Sequence, residues 1–161
     1  MTLEVDIRSL EATDQSAWLP LWQGYQDFYR VSIPEGATST TWSRLLDPAE
    51  PVHGALAWNG DKALGMVHFI QHRSCWTTSD YCYLQDVFVG ETRRGSGIGR
   101  KLIEHVYAEA ARLGCARVYW LTHETNQTAM QLYDRVATRS GFIQYRQDLP
   151  TEAPDAGEKR A

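Results

Sequence analysis

The run Arg94-Gly95-Ser96-Gly97-Ile98-Gly99 is the part of this 161-residue chain whose residue types and spacing point most directly to chemistry. Glycines let a backbone approach a ligand closely and aim successive N–H groups at one point. A helix starting directly after them adds the positive end of its dipole, and Arg93, Arg94, Arg100 and Lys101 add formal charge at the rim. These features suit a pyrophosphate. For so short a pattern the competing reading is a glycine-rich connection whose arginines are merely solvated.

Two other phosphate loops do not match in detail. No Gly-Lys-Ser/Thr closes the run, so it is not a P-loop. A dinucleotide fold wants its glycines after the first strand of a repeated βαβ unit, with an acidic residue about twenty positions on at a strand end, and that context is missing.

The remaining reactive side chains point away from metal or redox chemistry. Cys75, Cys82 and Cys115 are an odd, unclustered set and read as reduced and mostly packed. His68, His72 and His123 could carry protons. His68 and His72 lie four apart in one strand and face the same side, where a strand-surface role is expected, and no third ligand stands at convincing metal-site spacing. No metal is expected.

The elements that must position the glycine run follow from periodicity. Leu3–Leu10 alternates apolar and polar residues as a half-buried strand does. Gln15–Arg30 carries Trp18, Leu21, Trp22, Tyr25, Phe28 and Tyr29 at helical spacing, with Gly24 as a weak point. Ser39-Thr40 is predicted to cap a shorter helix with Trp42, Leu45 and Leu46, ended by Asp47-Pro48. Asn59-Gly60-Asp61, between Ala55–Trp58 and Ala63–Gln71, signals a hairpin. Strands are predicted at Tyr81–Val89, Val118–Thr122 and Phe142–Leu149, and helices at Ile98–Leu113 and Asn126–Arg139.

This length is that of one domain, placed at residues 1–149, and the Pro-, Glu- and Asp-rich tail 150–161 is expected to be disordered. A net charge of -4 argues against nucleic acid as partner, since phosphate neutralisation needs excess Lys and Arg. Met1–Leu10 lacks the uninterrupted apolar stretch of a signal peptide, and no segment reaches the length of a membrane span. A soluble, cytoplasmic protein without membrane attachment is expected.

Val87-Phe88-Val89, the glycine run and Lys101-Leu102-Ile103, in that order, resemble the acetyl-CoA motif of the GNAT N-acetyltransferase superfamily, with its consensus Arg/Gln-x-x-Gly-x-Gly/Ala. A second matching block has Asn126 at a helix start, then Ala129, Leu132 and Tyr133, then Gly141-Phe142. The resemblance spans roughly Tyr81 to Tyr145. It departs from the commonest pattern in the seven residues Asp134–Ser140, longer by about one helical turn. The form Leu132-Tyr133-Asp134-Arg135-Val136-Ala137, with Trp22-Gln23-Gly24-Tyr25 and Val118-Tyr119-Trp120, resembles the subgroup of histone, polyamine and D-amino acid acetyltransferases.

This resemblance implies an α/β (α+β) domain with a mixed, mostly antiparallel central sheet and helices on both faces. It implies acetyl-CoA as cosubstrate, with Phe88 and Val89 holding the acetyl and pantetheine portion, Arg94, Gly95, Ser96, Gly97, Ile98, Gly99 and Arg100 the pyrophosphate, and Asn126 lining the pantetheine arm. Tyr133 stands where the family places an acid for the departing thiolate; its rival role is a core aromatic. Asp86 and Glu124 are the candidate bases, each rivalled by a structural role. Trp22, Tyr25, Phe28, Tyr29 and Trp42 could wall an acceptor pocket or pack a core. The expected reaction is acetyl transfer to the primary amine of a small molecule or protein lysine, with an acetyl-CoA sensor without turnover as alternative. The subgroup resemblance also admits a homodimer.

Overall fold

This computed structural model describes residues 3–151 and 157–158. In chain order its elements are β1 (Asp6–Ser9), α1 (Gln15–Tyr29), β2 (Val31–Ser32), α2 (Glu35–Leu46), β3 (Val52–Asn59), β4 (Lys62–His72), β5 (Tyr81–Val89), α3 (Ile98–Arg112), β6 (Arg117–Tyr119), α4 (Gln127–Val136) and β7 (Gly157–Glu158). The Asn-Gly signal forms the expected hairpin: Asn59 pairs with Lys62, and Gly60 between them takes φ 61. Around that hairpin a five-stranded sheet assembles in the order β1-β3-β4-β5-β6, antiparallel except for the parallel β5–β6 pair.

β3 and β4 are buried on both faces, so alternate residues serve two cores. Leu56, Trp58 and Met66 meet Trp18, Leu21 and Trp22 of α1 and Trp42 and Leu45 of α2. Ala55, Ala57, Val67 and Phe69 meet Ile98, Leu102, Ile103, Val106 and Ala110 of α3 on the opposite side. Helices therefore cover both faces, as the resemblance implied. Gly24 has a packing reason, because a Cβ there would come within 3.0 Å of the Phe88 ring that lies against α1.

In β5 the alternation breaks at one residue. His68 pairs with Asp86 but Phe69 pairs with Leu84, so Gln85 is extra. Cys82 and Leu84 join the α3-side core, while Asp86 turns to His68 and α1. Unbroken period-two alternation would have put all three on one face.

Several expected elements differ. α2 starts at Glu35 behind Pro34, four residues before Ser39. A helix start does not need the N–H that proline lacks, and Glu35 suits the positive end of the dipole. β1 pairs only from Asp6, β6 ends at Tyr119, and α4 ends at Val136. Phe142–Leu149 forms no strand: Phe142, Ile143, Tyr145 and Leu149 are 75–91% exposed. β-rich composition expresses fit against a neighbouring strand, and among the described residues that stretch has none. Of the tail, Gly157 and Glu158 pair with Ser32 and Val31, and residues 152–156 and 159–161 lie outside the described residues.

Candidate active site

β5 and β6 are hydrogen-bonded only where Tyr81–Tyr83 meets Arg117–Tyr119. Past Tyr83 the edge of β5 that faced β6 has no strand partner among the described residues, which leaves backbone donors and acceptors for a ligand. The opening is a cleft of about 290 Å³. Its walls are Tyr25 and Tyr29 of α1, Tyr83 to Val87 of β5 apart from Asp86, Trp120 to His123 after β6, Tyr133 of α4, and Gln144. A separate depression of about 330 Å³ along α2, lined by Ser39, Ser43 and Asp47 among others, includes none of the expected site residues.

The glycine run lies between β5 and the first turn of α3. Gly97 caps that helix at φ 82 and Gly95 sits at φ 80, a region that side chains disfavour. A Cβ at either would meet nothing within 4 Å. Their conformation rather than crowding calls for glycine, and the space above them is open to a phosphate ligand. The Ser96 hydroxyl donates to the Arg93 carbonyl, which closes the loop on itself. Ile98 is the buried anchor of the run.

The charged rim is partly committed. Arg100 pairs with Glu104 one turn along α3 at 2.8 Å, both exposed. Arg94 lies with its guanidinium carbon 4.8 Å from the Phe28 ring and 5.7 Å from the Phe88 ring, its Nε donating to the Val89 carbonyl at 3.4 Å. The loop is thereby held to the end of α1 and to β5. Phe88 and Val89 are half-buried, with the Val89 side chain on the α3-side core.

Asn126 stands at the start of α4, its N–H donating to the His123 carbonyl at 2.9 Å. Six residues on, Leu132 approaches Gly99, so α4 abuts the glycine run. Tyr133 then projects into the cleft with its ring edge-on to Trp120. Burial pushes the Tyr133 phenol up to about 12, with Tyr29 adding to the shift. The group is protonated throughout the neutral range.

The two carboxylates have different surroundings. Glu124 is exposed in the loop before α4 and is not part of the cleft wall. Asp86 is 6% exposed and sits behind the wall. Its Oδ2 is 2.9 Å from His68 Nδ1, and His68 Nε2 receives the Trp18 indole hydrogen at 2.9 Å. An indole N–H only donates, so His68 Nε2 carries no proton, and the neutral ring donates from Nδ1 to Asp86. His68, expected on a strand surface, is 3% exposed. Periodicity could not reveal this, because β4 is covered on both faces.

Burial, with Asp86 next, raises the phenols of Tyr25, Tyr29 and Tyr83. Of the aromatic residues weighed as an acceptor wall, Tyr25 and Tyr29 line the cleft, whereas Trp22 and Trp42 belong to the core and Phe28 lies beneath Arg94. Tyr83 and Trp120 of the wall were not singled out for it from sequence; Tyr83 is the third residue of β5 and Trp120 the first after β6, and their only signal was a place in two β-rich runs. His123 lines the cleft, while His72 instead pairs with the Tyr119 hydroxyl at 2.7 Å. No cluster of three or more metal-ligating side chains is present among the described residues.

Known proteins match this arrangement. The sequence pattern of the acetyltransferase (GNAT) family matches residues 18–137. A D-amino-acid N-acetyltransferase of Saccharomyces cerevisiae is 37% identical over 145 residues, covering 88% of this chain and 89% of that protein. A thialysine N-epsilon-acetyltransferase of Caenorhabditis elegans is 30% identical over 102 residues, 60% of this chain and 63% of its own length. The structure of AAC(6')-Iy in complex with the bisubstrate analogue CoA-S-monomethyl-acetylneamine has a TM-score of 0.79 at 17% identity, covering 91% of this chain and 99% of that one, and so shares the fold. A glycine loop at a helix start, a parted strand pair beside it and these relatives converge: the chain belongs to the acetyltransferase (GNAT) family and is an acetyl-CoA-dependent N-acetyltransferase.

Proposed function

We propose that the protein acetylates the primary amine of a small molecule by direct attack of the neutral amine on the thioester of acetyl-CoA. The observation that carries this reading is the placement of Tyr133 in a tyrosine-walled cleft between the unpaired edge of β5 and α4, next to the glycine run. Acetyl-CoA supplies the activated acyl group. The first-turn N–H groups of α3, the positive-φ glycines and Arg94 and Arg100 would hold its pyrophosphate, and the free edge of β5 at Phe88 and Val89, with Asn126, its pantetheine arm.

Tyr133 is the proposed acid that protonates the departing thiolate. Its raised phenol keeps the proton in place until the sulfur leaves, in a desolvated setting that makes the thiolate more basic as well. Asp86 is the proposed final proton acceptor; Glu124, exposed outside the cleft wall, has less support. Relatives named for D-amino acids, thialysine and ornithine support a small amine as acceptor. A protein lysine presents the same ammonium on an alkyl arm.

Thiol release from acetyl-CoA across polyamines, L- and D-amino acids, basic peptides and aminoglycosides tests the reading, with Tyr133→Phe as control. Turnover with one amine class, lowered in the variant, is expected. Silence on every amine despite acetyl-CoA binding would replace it with a cofactor sensor. The same proposal includes a homodimer, supported by the exposed Phe142, Ile143, Tyr145 and Leu149 and by β6, which among the described residues is paired on one side only. Light scattering on the eluting protein checks it. The three free cysteines support a cytoplasmic location, which cell fractionation checks, and no described helix is long and apolar enough to cross a membrane.

A further inference from the structure

Building on the reading that Asp86 accepts the amine's proton, we propose that His68 is the positioning residue for that carboxylate, locked by Trp18 into one uncharged tautomer, so that Asp86 keeps an unneutralised charge beside the acceptor cleft. The placement begins in the strand ladder. His68 and Asp86 are Cα partners on β4 and β5, and the extra residue Gln85 directly precedes Asp86. Unbroken alternation would have put Asp86 on the α3-side face with Cys82 and Leu84. With the bulge, the carboxylate turns to the His68 ring, Oδ2 lying 2.9 Å from Nδ1.

The His68 ring is held from three directions. Gly54, its partner on β3, leaves it room, since a Cβ there would come within 3.3 Å of His68 Cδ2. Trp22 stands 5.2 Å away, centroid to centroid. Trp18 donates its indole hydrogen to Nε2 at 2.9 Å. That indole is wholly buried, 4.9 Å from the Trp42 ring and stacked on Trp22 at 5.9 Å, so the far end of the chain is fixed as well.

Such a chain runs in one direction only. A second proton on His68 would set its Nε2–H against the indole N–H, two donors without an acceptor. His68 is therefore not the base, because Trp18 occupies the lone pair of one nitrogen and the other already carries a proton. Nor does His68 neutralise Asp86. Among the described residues no Lys or Arg pairs with this carboxylate. The other ionisable groups facing it, Tyr25 and Tyr29 from α1 and Tyr83 from β5, are phenols whose titrations are raised by burial and then by Asp86.

A buried carboxylate with no cation beside it is a poor device for stability, because apolar side chains of the same volume would cost less to bury. It suits a proton acceptor. Its neighbours Gln85 and Val87 line the cleft, and its side chain keeps 8% exposure. As the amine nitrogen bonds to the acetyl carbon it gives its proton to a water, which passes one to Asp86 Oδ1, since His68 holds Oδ2. As the carbon–sulfur bond breaks, Tyr133 protonates the sulfur. Solvent returns the proton from Asp86 to Tyr133, leaving an amide and a free thiol.

The test uses the full-length protein and the amine it turns over best. His68→Leu removes the donor that favours the charged carboxylate, so kcat should fall by about 10- to 100-fold and its acid limb should move to higher pH, with the KM for acetyl-CoA within about twofold of wild type. His68→Gln, whose amide can donate to Asp86 and accept from Trp18, should restore most of both. Trp18→Phe keeps the ring and frees His68 Nε2 to take a second proton, so its acid limb should also move to higher pH; this variant carries the test if His68→Leu does not fold, which melting curves establish. Asp86→Asn should lose at least as much as His68→Leu, and the double variant no more than Asp86→Asn, because His68 acts only through Asp86. An acid limb unmoved in the folded His68 and Trp18 variants, or equal losses in His68→Leu and His68→Gln, would overturn the positioning role while leaving Asp86 as acceptor. Wild-type kcat in Asp86→Asn would overturn both roles and leave the transferase reading intact, and a wild-type protein that turns over no amine would overturn all three.

Discussion

Trp120 meets Tyr133 edge-on, ring centroids 5.4 Å apart and planes at 70°. This contact ties α4 to the segment after β6, and a second tie runs from the Tyr107 hydroxyl to the Val136 carbonyl at 2.7 Å. Tyr133 is thus located by its ring, and in the proposed reaction its hydroxyl is the acid. Tyr133→Phe should keep the fold and lower kcat by about 10²-fold or more, with little change in the KM for acetyl-CoA. Steady-state kinetics beside a melting curve check both halves of this.

The same phenol couples stability to high pH. Its folded value, pushed up to about 12 from 10.0, means that the unfolded chain ionises first. The contribution is complete below pH 10 and is lost as the pH rises through 12. Melting temperatures from pH 9 to pH 12 should fall, and they should fall less steeply in Tyr133→Phe. Equal slopes would show that the phenol is not desolvated.

Gly97 tests the phosphate loop. At φ 82 an alanine costs about 1–2 kcal/mol of backbone strain. Open space around the site means that no steric clash adds to it. Gly97→Ala should therefore lower the melting temperature by a few degrees and weaken acetyl-CoA binding several-fold by calorimetry. A variant that melts lower but binds normally would detach the loop from the cofactor.

Acid should destabilise the α3 side of the sheet. His53 on β3 and His105 on α3 each have a buried Nε2 without a hydrogen-bond partner among the described residues, and burial lowers both titrations from 6.5. Glu109 opposes the shift at both, and Arg112 adds to it at His53. A lowered folded value means stability that is present above pH 6.5 and lost as the pH falls below it, because the unfolded chain takes up the proton first. Melting temperatures should drop between pH 6.5 and pH 5, and His105→Leu should reduce that drop. A pH-independent melting temperature over this window would contradict the burial of both rings.

The candidate site was legible in sequence where its meaning is local. Gly95 and Gly97 declare a backbone that only glycine adopts readily, and Ile98, Leu102, Ile103 and Val106 declare the helix behind it, because both signals depend on neighbours within one turn. The hairpin at Gly60 and the amphipathic α1 were legible for the same reason.

What lay beyond one turn was decided in three dimensions. Phe142–Leu149 has the composition of a strand but no strand partner among the described residues, and a strand exists only by pairing. A single extra residue, Gln85, decides which face of the sheet receives Asp86, since a one-residue shift inverts everything after it. The sequence by itself therefore determined the family, the glycine loop and the helix that follows it. Only the tertiary structure decided that Asp86 is buried and paired with His68, which receives the Trp18 indole hydrogen in turn, because those contacts join α1, β4 and β5, segments far apart in the chain whose meeting no local pattern encodes.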